Sequence, residues 1–289
     1  MRKVYLLAIL VVGNTYSNAQ LETGTLEGNN VRATLSNRGI FFNKIEENGQ
    51  GYETPKDEGV HLIYSNSFWF GAKDSGGSLY MASELYGGEE YRDLYEGAIT
   101  DDGSAEAPVV PYANDVYVVS TDEIEYHVAN IAEPGYVMPD GIALWPAHGD
   151  VALNLAENLA PFADLNGNGI YEPELGEFPE IRGDHAAYII LNDKGGPHTS
   201  SGGNPLGIEI HFMFYQYESD DDINNTTFVN VRVINRSTNS YPEFIVGNYM
   251  DCDLGYESGD DYVGCDSTNN VMYGYNGDNF DFNEGGAPG

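Results

Sequence analysis

A chain of 289 residues with 46 Asp and Glu against 12 Lys and Arg carries a formal charge of −34. That balance excludes a general nucleic-acid binder and disfavours docking on anionic lipid, since both recruit basic surfaces. Disorder is excluded as well, because hydrophobic residues make up 41% and 22 Tyr and 12 Phe are available for a core.

Taken in chain order, Arg2 and Lys3, an apolar run over 4–12 and Ser17-Asn18-Ala19 form a three-part signal peptide over residues 1–19. Its removal takes two bases away, leaving 10 against 46 acids, a charge of −36. No Cys follows the apolar run, so no lipid anchor is expected. No later stretch approaches the about 20 apolar residues that span a bilayer. The expected location is therefore secreted or outer cell surface, with export machinery as a partner and no membrane insertion.

Residues 20–160 read as an N-terminal β-rich region. Val31-Arg32-Ala33-Thr34-Leu35 alternates, Ile40-Phe41-Phe42 follows a turn, and 61–71 is aromatic-rich. The acidic, irregular stretch 87–115 is expected to be a long surface excursion. A strand over 116–119 leads into a helix near 121–131. There Ser120 and Glu123 have capping-box spacing, and Ile124, His127, Val128 and Ile131 recur at helical intervals. A second short helix is expected at 142–145 or 151–159.

Segment 161–184 holds the sharpest motif. Asp164, Asn166 and Asn168 occupy positions one, three and five of a calcium loop, with Gly169 at the turn. Oxygen ligands two residues apart, folded by a glycine, converge on one point. Ile170 would add its carbonyl and Glu172 its carboxylate. Position twelve is Leu175, so Glu174, Glu177 or Asp184 would have to replace the usual Glu; Asp184 is placed in the expected ligand set. With two Asn among the ligands, affinity should fall in the extracellular class of roughly 10⁻⁴ to 10⁻³ M. An Asn-Gly-rich turn without metal is the competing reading.

Residues 185–289 read as an antiparallel β region, with strands over 185–191, 207–217, 227–234, 243–254 and 270–275. Phe228, Asn230 and Arg232 alternate with Val229, Val231 and Val233, the pattern of a sheet with one wet face. A second, weaker cation site is expected at Asp251, Asp253, Asp261 and Asp266, against the alternative of a solvated acidic loop. Cys252 and Cys265 are expected to pair as a disulfide, with two free thiols as the rival state. The chain closes on Gly285-Gly286-Ala287-Pro288-Gly289 without a final element, as expected for the front of a longer protein. The fold class expected is mainly β: antiparallel, β-sandwich-like sheets with long loops and one or two short helices.

Enzyme templates are missing. There is no G-x-S-x-G elbow, P-loop or H-E-x-x-H. His148, His185 and His211 could meet around a catalytic metal only if the fold brings them together.

Several separated motifs resemble a known group. Trp145-Pro146-Ala147-His148-Gly149-Asp150, Leu159-Ala160-Pro161-Phe162-Ala163-Asp164, Phe178-Pro179-Glu180-Ile181-Arg182-Gly183-Asp184, Pro205-Leu206-Gly207-Ile208-Glu209-Ile210-His211, Asn235-Arg236-Ser237 and Asp260-Asp261-Tyr262-Val263-Gly264-Cys265-Asp266 are similar to the N-terminal region of large secreted surface proteins of Bacteroidota. Those proteins usually end in a C-terminal sorting domain for type IX secretion. The resemblance implies Sec export, passage to the cell surface, and a calcium-type loop carried by Asp164, Asn166 and Asn168. It supplies no reaction, and no sorting domain is recognisable here.

The functional expectation is a secreted or cell-surface, calcium-stabilised β module, structural or adhesive and without catalysis of its own. Its partner would be a cell-surface polysaccharide or another extracellular protein. One alternative is a carbohydrate-binding module, motivated by Phe68, Trp69, Phe70 and the many Tyr. The other is a secreted hydrolase, motivated by export and scattered carboxylates.

Overall fold

The structure, a computed structural model, describes residues 21–88, 90–103, 113, 115–255 and 259–277. The expected signal peptide lies outside the described residues.

Two antiparallel sheets face each other. The first runs β1 (Thr23–Leu26), β2 (Arg32–Ser36), β6 (Tyr52–Glu53), β7 (His61–Lys73), β16 (Glu243–Cys252), with β3 (Ile40–Phe41) and β8 (Leu79–Ala82) also pairing with β7. The second runs β10 (Tyr117–Ser120), β13 (His185–Asn192), β14 (Ile208–Gln216), β15 (Phe228–Asn235), with β9 (Tyr95–Glu96) also on β13. Three small ribbons complete the strands: β4 (Asn43–Lys44) with β5 (Gly49–Gln50), β11 (Phe162–Ala163) with β12 (Phe178–Pro179), and β17 (Asp261–Asp266) with β18 (Val271–Asn276). A mainly β, sandwich-like fold with antiparallel sheets is what the alternation patterns predicted.

The core between the sheets follows from the two-residue period of strands. Ala187, Ile189 and Leu191 of β13, with Ile208, Ile210, Phe212 and Phe214 of β14, point at the first sheet and are buried against Leu26, Leu35, Phe41 and Phe70. Phe41 meets Phe212 and Phe214 at ring-centroid distances of 5.1 and 4.6 Å. Fully burying a side chain of this size contributes about 1.5–3 kcal/mol. Phe68 and Phe70 belong to this interior, so of the aromatic trio at 68–70 only Trp69 faces outward.

The alternate residues of β13, Ala186, Tyr188 and Ile190, enter a second core under a third layer. That layer contains α1 (Thr121–Asn130), α2 (Asp140–Ala143) and the irregular chain over 145–182. Helix α1 starts as its sequence demands: the Glu123 N–H donates to Ser120 Oγ at 3.2 Å and the Ser120 N–H to Glu123 Oε2 at 2.8 Å. Its buried face centres on His127, while Val128 is exposed.

The stretch 87–115 corrects the expectation of a surface excursion. Asp93, Leu94, Glu96 and Ile99 are buried, and Glu96 forms an ion pair with Arg92 at 2.9 Å. Acidic residues read as solvated are instead neutralised by Arg or by backbone amides: Ser83 N, Ser200 N and Ser201 N all donate to Asp93. Residues 104–112 lie outside the described residues.

Candidate functional site

The calcium-type loop leaves the β11–β12 ribbon, where Phe162 faces Pro179 and Ala163 faces Phe178. Asp164 then closes it: Oδ1 accepts from the N–H groups of Gly167 (2.7 Å) and Asn168 (3.2 Å), and Oδ2 from Gly169 (2.8 Å). The Gly169 contact comes first in holding the Asp164 carboxyl below its usual range, and the other loop amides assist. Gly167 and Gly169 sit at φ of 75° and 76°, the left-handed region that glycine reaches without strain. Asn166 Oδ1 accepts from Asn168 N, and Asn168 Oδ1 from Ile170 N. Both side-chain amides donate to a single oxygen, Glu172 Oε2, at 2.9 and 2.6 Å. Asn166, Asn168 and Glu172 therefore meet, but through the asparagine N–H groups, while both asparagine oxygens face loop amides.

Glu177 locks the mouth of the loop. Its carboxylate is buried, with Oε1 accepting from Leu165 N (3.1 Å) and Oε2 from Glu172 N (2.8 Å). The same residue's carbonyl lies 3.2 Å from His127 Nε2, which ties the loop to α1. On the other flank His148 Nε2 accepts from Tyr171 N at 2.9 Å. Since that partner can only donate, the ring proton is on Nδ1, which reaches Glu157 O at 3.0 Å. Tyr171 Oη donates to Ile142 O at 2.8 Å. An exposed loop is thus mounted on a rigid frame.

Asp184 is placed elsewhere: its Oδ2 accepts from Glu218 N at 2.9 Å, beside the exit of β14. Leu175, at loop position twelve, is exposed. Glu177 is the acid nearest in role to the missing ligand, yet both its oxygens are used by backbone amides.

The second acidic group does not come together as one site. Asp253 Oδ2 accepts from Gln50 Nε2, and Asp261 Oδ2 from Leu254 N at 3.0 Å. Asp251 lies on the outer face of β16 near the Tyr249 phenol. Asp266 stands at the far end of β17 from Asp261, five steps of about 3.3 Å away, and caps the hairpin turn by accepting from Thr268 N and Asn269 N. Among the described residues no three His, Cys, Asp or Glu side chains gather in a metal-holding group.

The expected disulfide is not formed: Cys252 and Cys265 are both free thiols. The hairpin explains why. Cβ built on Gly274 would lie 3.1 Å from Cys252 Sγ, so Gly274 is the residue under that sulfur, while Cys265 is exposed opposite Met272. Burial, then the charges of Asp251 and Asp261, raise the Cys252 thiol above its ordinary value.

His148, His185 and His211 fall into three separate networks. His185 contacts Glu218 at 3.0 Å. His211 is buried between Glu209 (2.9 Å) and Tyr188 (2.7 Å), with Arg236 on the same Glu209 oxygen. Their bonding is that of structural side chains.

Sequence reasoning named Glu177 only as a substitute ligand and missed its clamping role. The available signal was its place immediately before Phe178-Pro179, where the chain must re-enter the fold.

Neither a family model, nor a curated protein, nor a solved structure matches this chain. Among the described residues no helix is long and apolar enough to cross a membrane.

Proposed function

We propose that the protein is an exported, cell-surface β module with a structural or adhesive role, stabilised by a calcium ion at the 164–172 loop. The observation that carries this reading is the convergence of Asn166 and Asn168 on Glu172, with Asp164 fixed beside them by three loop amides. Asp164 and Glu172 would supply the carboxylates, and the Ile170 carbonyl and the asparagine oxygens, once the asparagine amides turn away from Glu172, would supply neutral ligands. Calcium bound there would pin the segment joining the third layer to β13 and offset part of a charge of −34. The signal-peptide pattern and the motif resemblance to secreted Bacteroidota surface proteins support the location.

The test is thermal unfolding in EDTA and in 10 mM calcium. For a site of roughly 10⁻⁴ to 10⁻³ M the expected stabilisation is about 1.4–2.7 kcal/mol, or about 3–8 °C for a domain of this size. Asp164→Ala should abolish most of the shift. Equal melting temperatures in the two buffers would remove calcium from the reading.

A further inference from the structure

The outer face of the first sheet carries a feature that the calcium loop does not use. Ser67, Trp69 and Gly71 of β7 pair with Tyr249, Gly247 and Ile245 of β16, so all six side-chain positions point away from the core. On this face four rings form an unbroken row. Tyr64 and Tyr86 have centroids 5.8 Å apart, Tyr86 and Tyr249 6.1 Å, and Tyr249 and Trp69 5.4 Å, the last pair parallel to within 6°. Every ring is partly solvent-accessible, and Tyr86 is 47% exposed.

Rigid anchoring distinguishes the row from a chance patch. Trp69 Nε1 donates to Glu84 O at 2.7 Å, Tyr64 Oη to Asn48 Oδ1 at 2.9 Å, and Tyr249 Oη to Tyr86 Oη at 3.0 Å. Beyond the end of the row the face is low at two glycines, with the exposed Ile245 beside them. A Cβ built on Gly71 would meet nothing within 4 Å, and one on Gly247 only the Trp69 Cβ at 3.6 Å. Trp69 therefore borders a shallow trough floored by two glycines, strand positions at which a bound molecule can approach the backbone closely. At the other side Asp251 is near enough to help raise the Tyr249 phenol, after burial and the hydrogen bond with Tyr86.

We infer that this row is a binding site for a neutral, linear polysaccharide. Sugar rings present apolar C–H faces that stack on aromatic rings and hydroxyl edges that donate to carboxylates. Rings in a row beside Asp251 supply both, over a length suited to a chain of sugars. The charge of −34 repels uronate-bearing or sulfated polymers, which selects a neutral one. An added copy of this acidic chain is disfavoured on the same ground. The inference does not depend on the calcium loop, which lies in the third layer.

The experiment is affinity gel electrophoresis of the full chain with soluble neutral β-glucan, galactomannan or xylan in the gel, and alginate as the anionic control, in EDTA and in calcium. Retardation by at least one neutral polymer and none by alginate is expected, with the same result in EDTA. Trp69→Ala and Tyr249→Ala should each weaken it about tenfold. Trp69→Phe should keep a measurable part, which separates lost stacking from lost folding. Fluorescence gives a second readout, because Trp145, the other of the two tryptophans, is 4% exposed: the bound polymer should shield Trp69 from acrylamide. Absence of retardation by all three neutral polymers would overturn the inference, as would equal retardation by alginate, or retardation that survives both alanine variants.

Discussion

Strands β13 and β14 and strands β15 and β16 are written in the same alphabet of Val, Ile, Phe and Tyr, yet they end in different environments. All but the first residue of β13 and all but Tyr215 of β14 are buried, because β14 is covered by the first sheet on one face and by the third layer on the other. No residue of β15 or β16 is buried. Register shows how much is withheld. Val246 sits opposite Phe70 and points into the sandwich, yet it is 48% exposed while Phe70 is 0%. Burial is thus decided by neighbours rather than residue type. Each of these two strands is the last in its sheet, and among the described residues nothing pairs with its outer side.

That contrast can be broken directly by truncating one interior side chain from each region. Phe212→Ala should destabilise by about 3–5 kcal/mol, since it removes a fully buried ring from a packed aromatic group. Val246→Ala should cost less than about 1 kcal/mol, because the lost methyl groups are half in water already. Urea unfolding of both variants checks this. Similar losses would mean that something covers β16 in solution.

A second test concerns charge inside the covered region. Glu84 is buried; Oε1 accepts from Asp93 N and Leu94 N, both at 2.6 Å, and Oε2 has no hydrogen-bond partner. Burial pushes its pKa up to about 8. The unfolded carboxyl ionises near 4.5, so between that pH and 8 the unfolded state holds fewer protons than the folded one. Stability contributed by the protonated form is therefore complete below pH 4.5 and is lost as pH rises towards 8. Glu84→Gln keeps the acceptor for both amides and removes the ionisation. It should flatten the fall in melting temperature from pH 5 to 9, a difference of about 1–3 kcal/mol at the alkaline end. Parallel curves for the two proteins would show that Glu84 is not the group responsible.

How much of this was legible in sequence differs by kind of information. The strand at 185–191 and the helix after Ser120 were visible because period and capping are local, and the Asp164 loop because its oxygens are spaced within a few residues. The burial of Asp93 and Glu96 was not: two of the amides that hold Asp93, Ser200 N and Ser201 N, lie more than a hundred residues away, and the Arg92–Glu96 pair, though local, carries no sign in the sequence that it is covered. β17 was read only as an acid cluster, because Asp261, Gly264 and Asp266 hide its alternation. The aromatic row was half legible: Trp69 could be named, but its inward neighbours Phe68 and Phe70 and its partner Tyr249 follow from a β7–β16 pairing that no local pattern encodes.

A further small effect is expected where local legibility was best. Ser120 ends β10 in the second sheet and caps α1 in the layer that covers it, so its side chain couples the two. Ser120→Ala leaves the Glu123 N–H without its cap and should cost about 1 kcal/mol. The loss should be local. Amide exchange should quicken through the first turn of α1, while β14 keeps its protection, because the interior-facing side chains of β14 are held by the opposite sheet. If exchange in β14 rises with that in α1, the covering layer and the sandwich unfold as one unit, and the burial of β13 and β14 depends on the helix cap as much as on the first sheet.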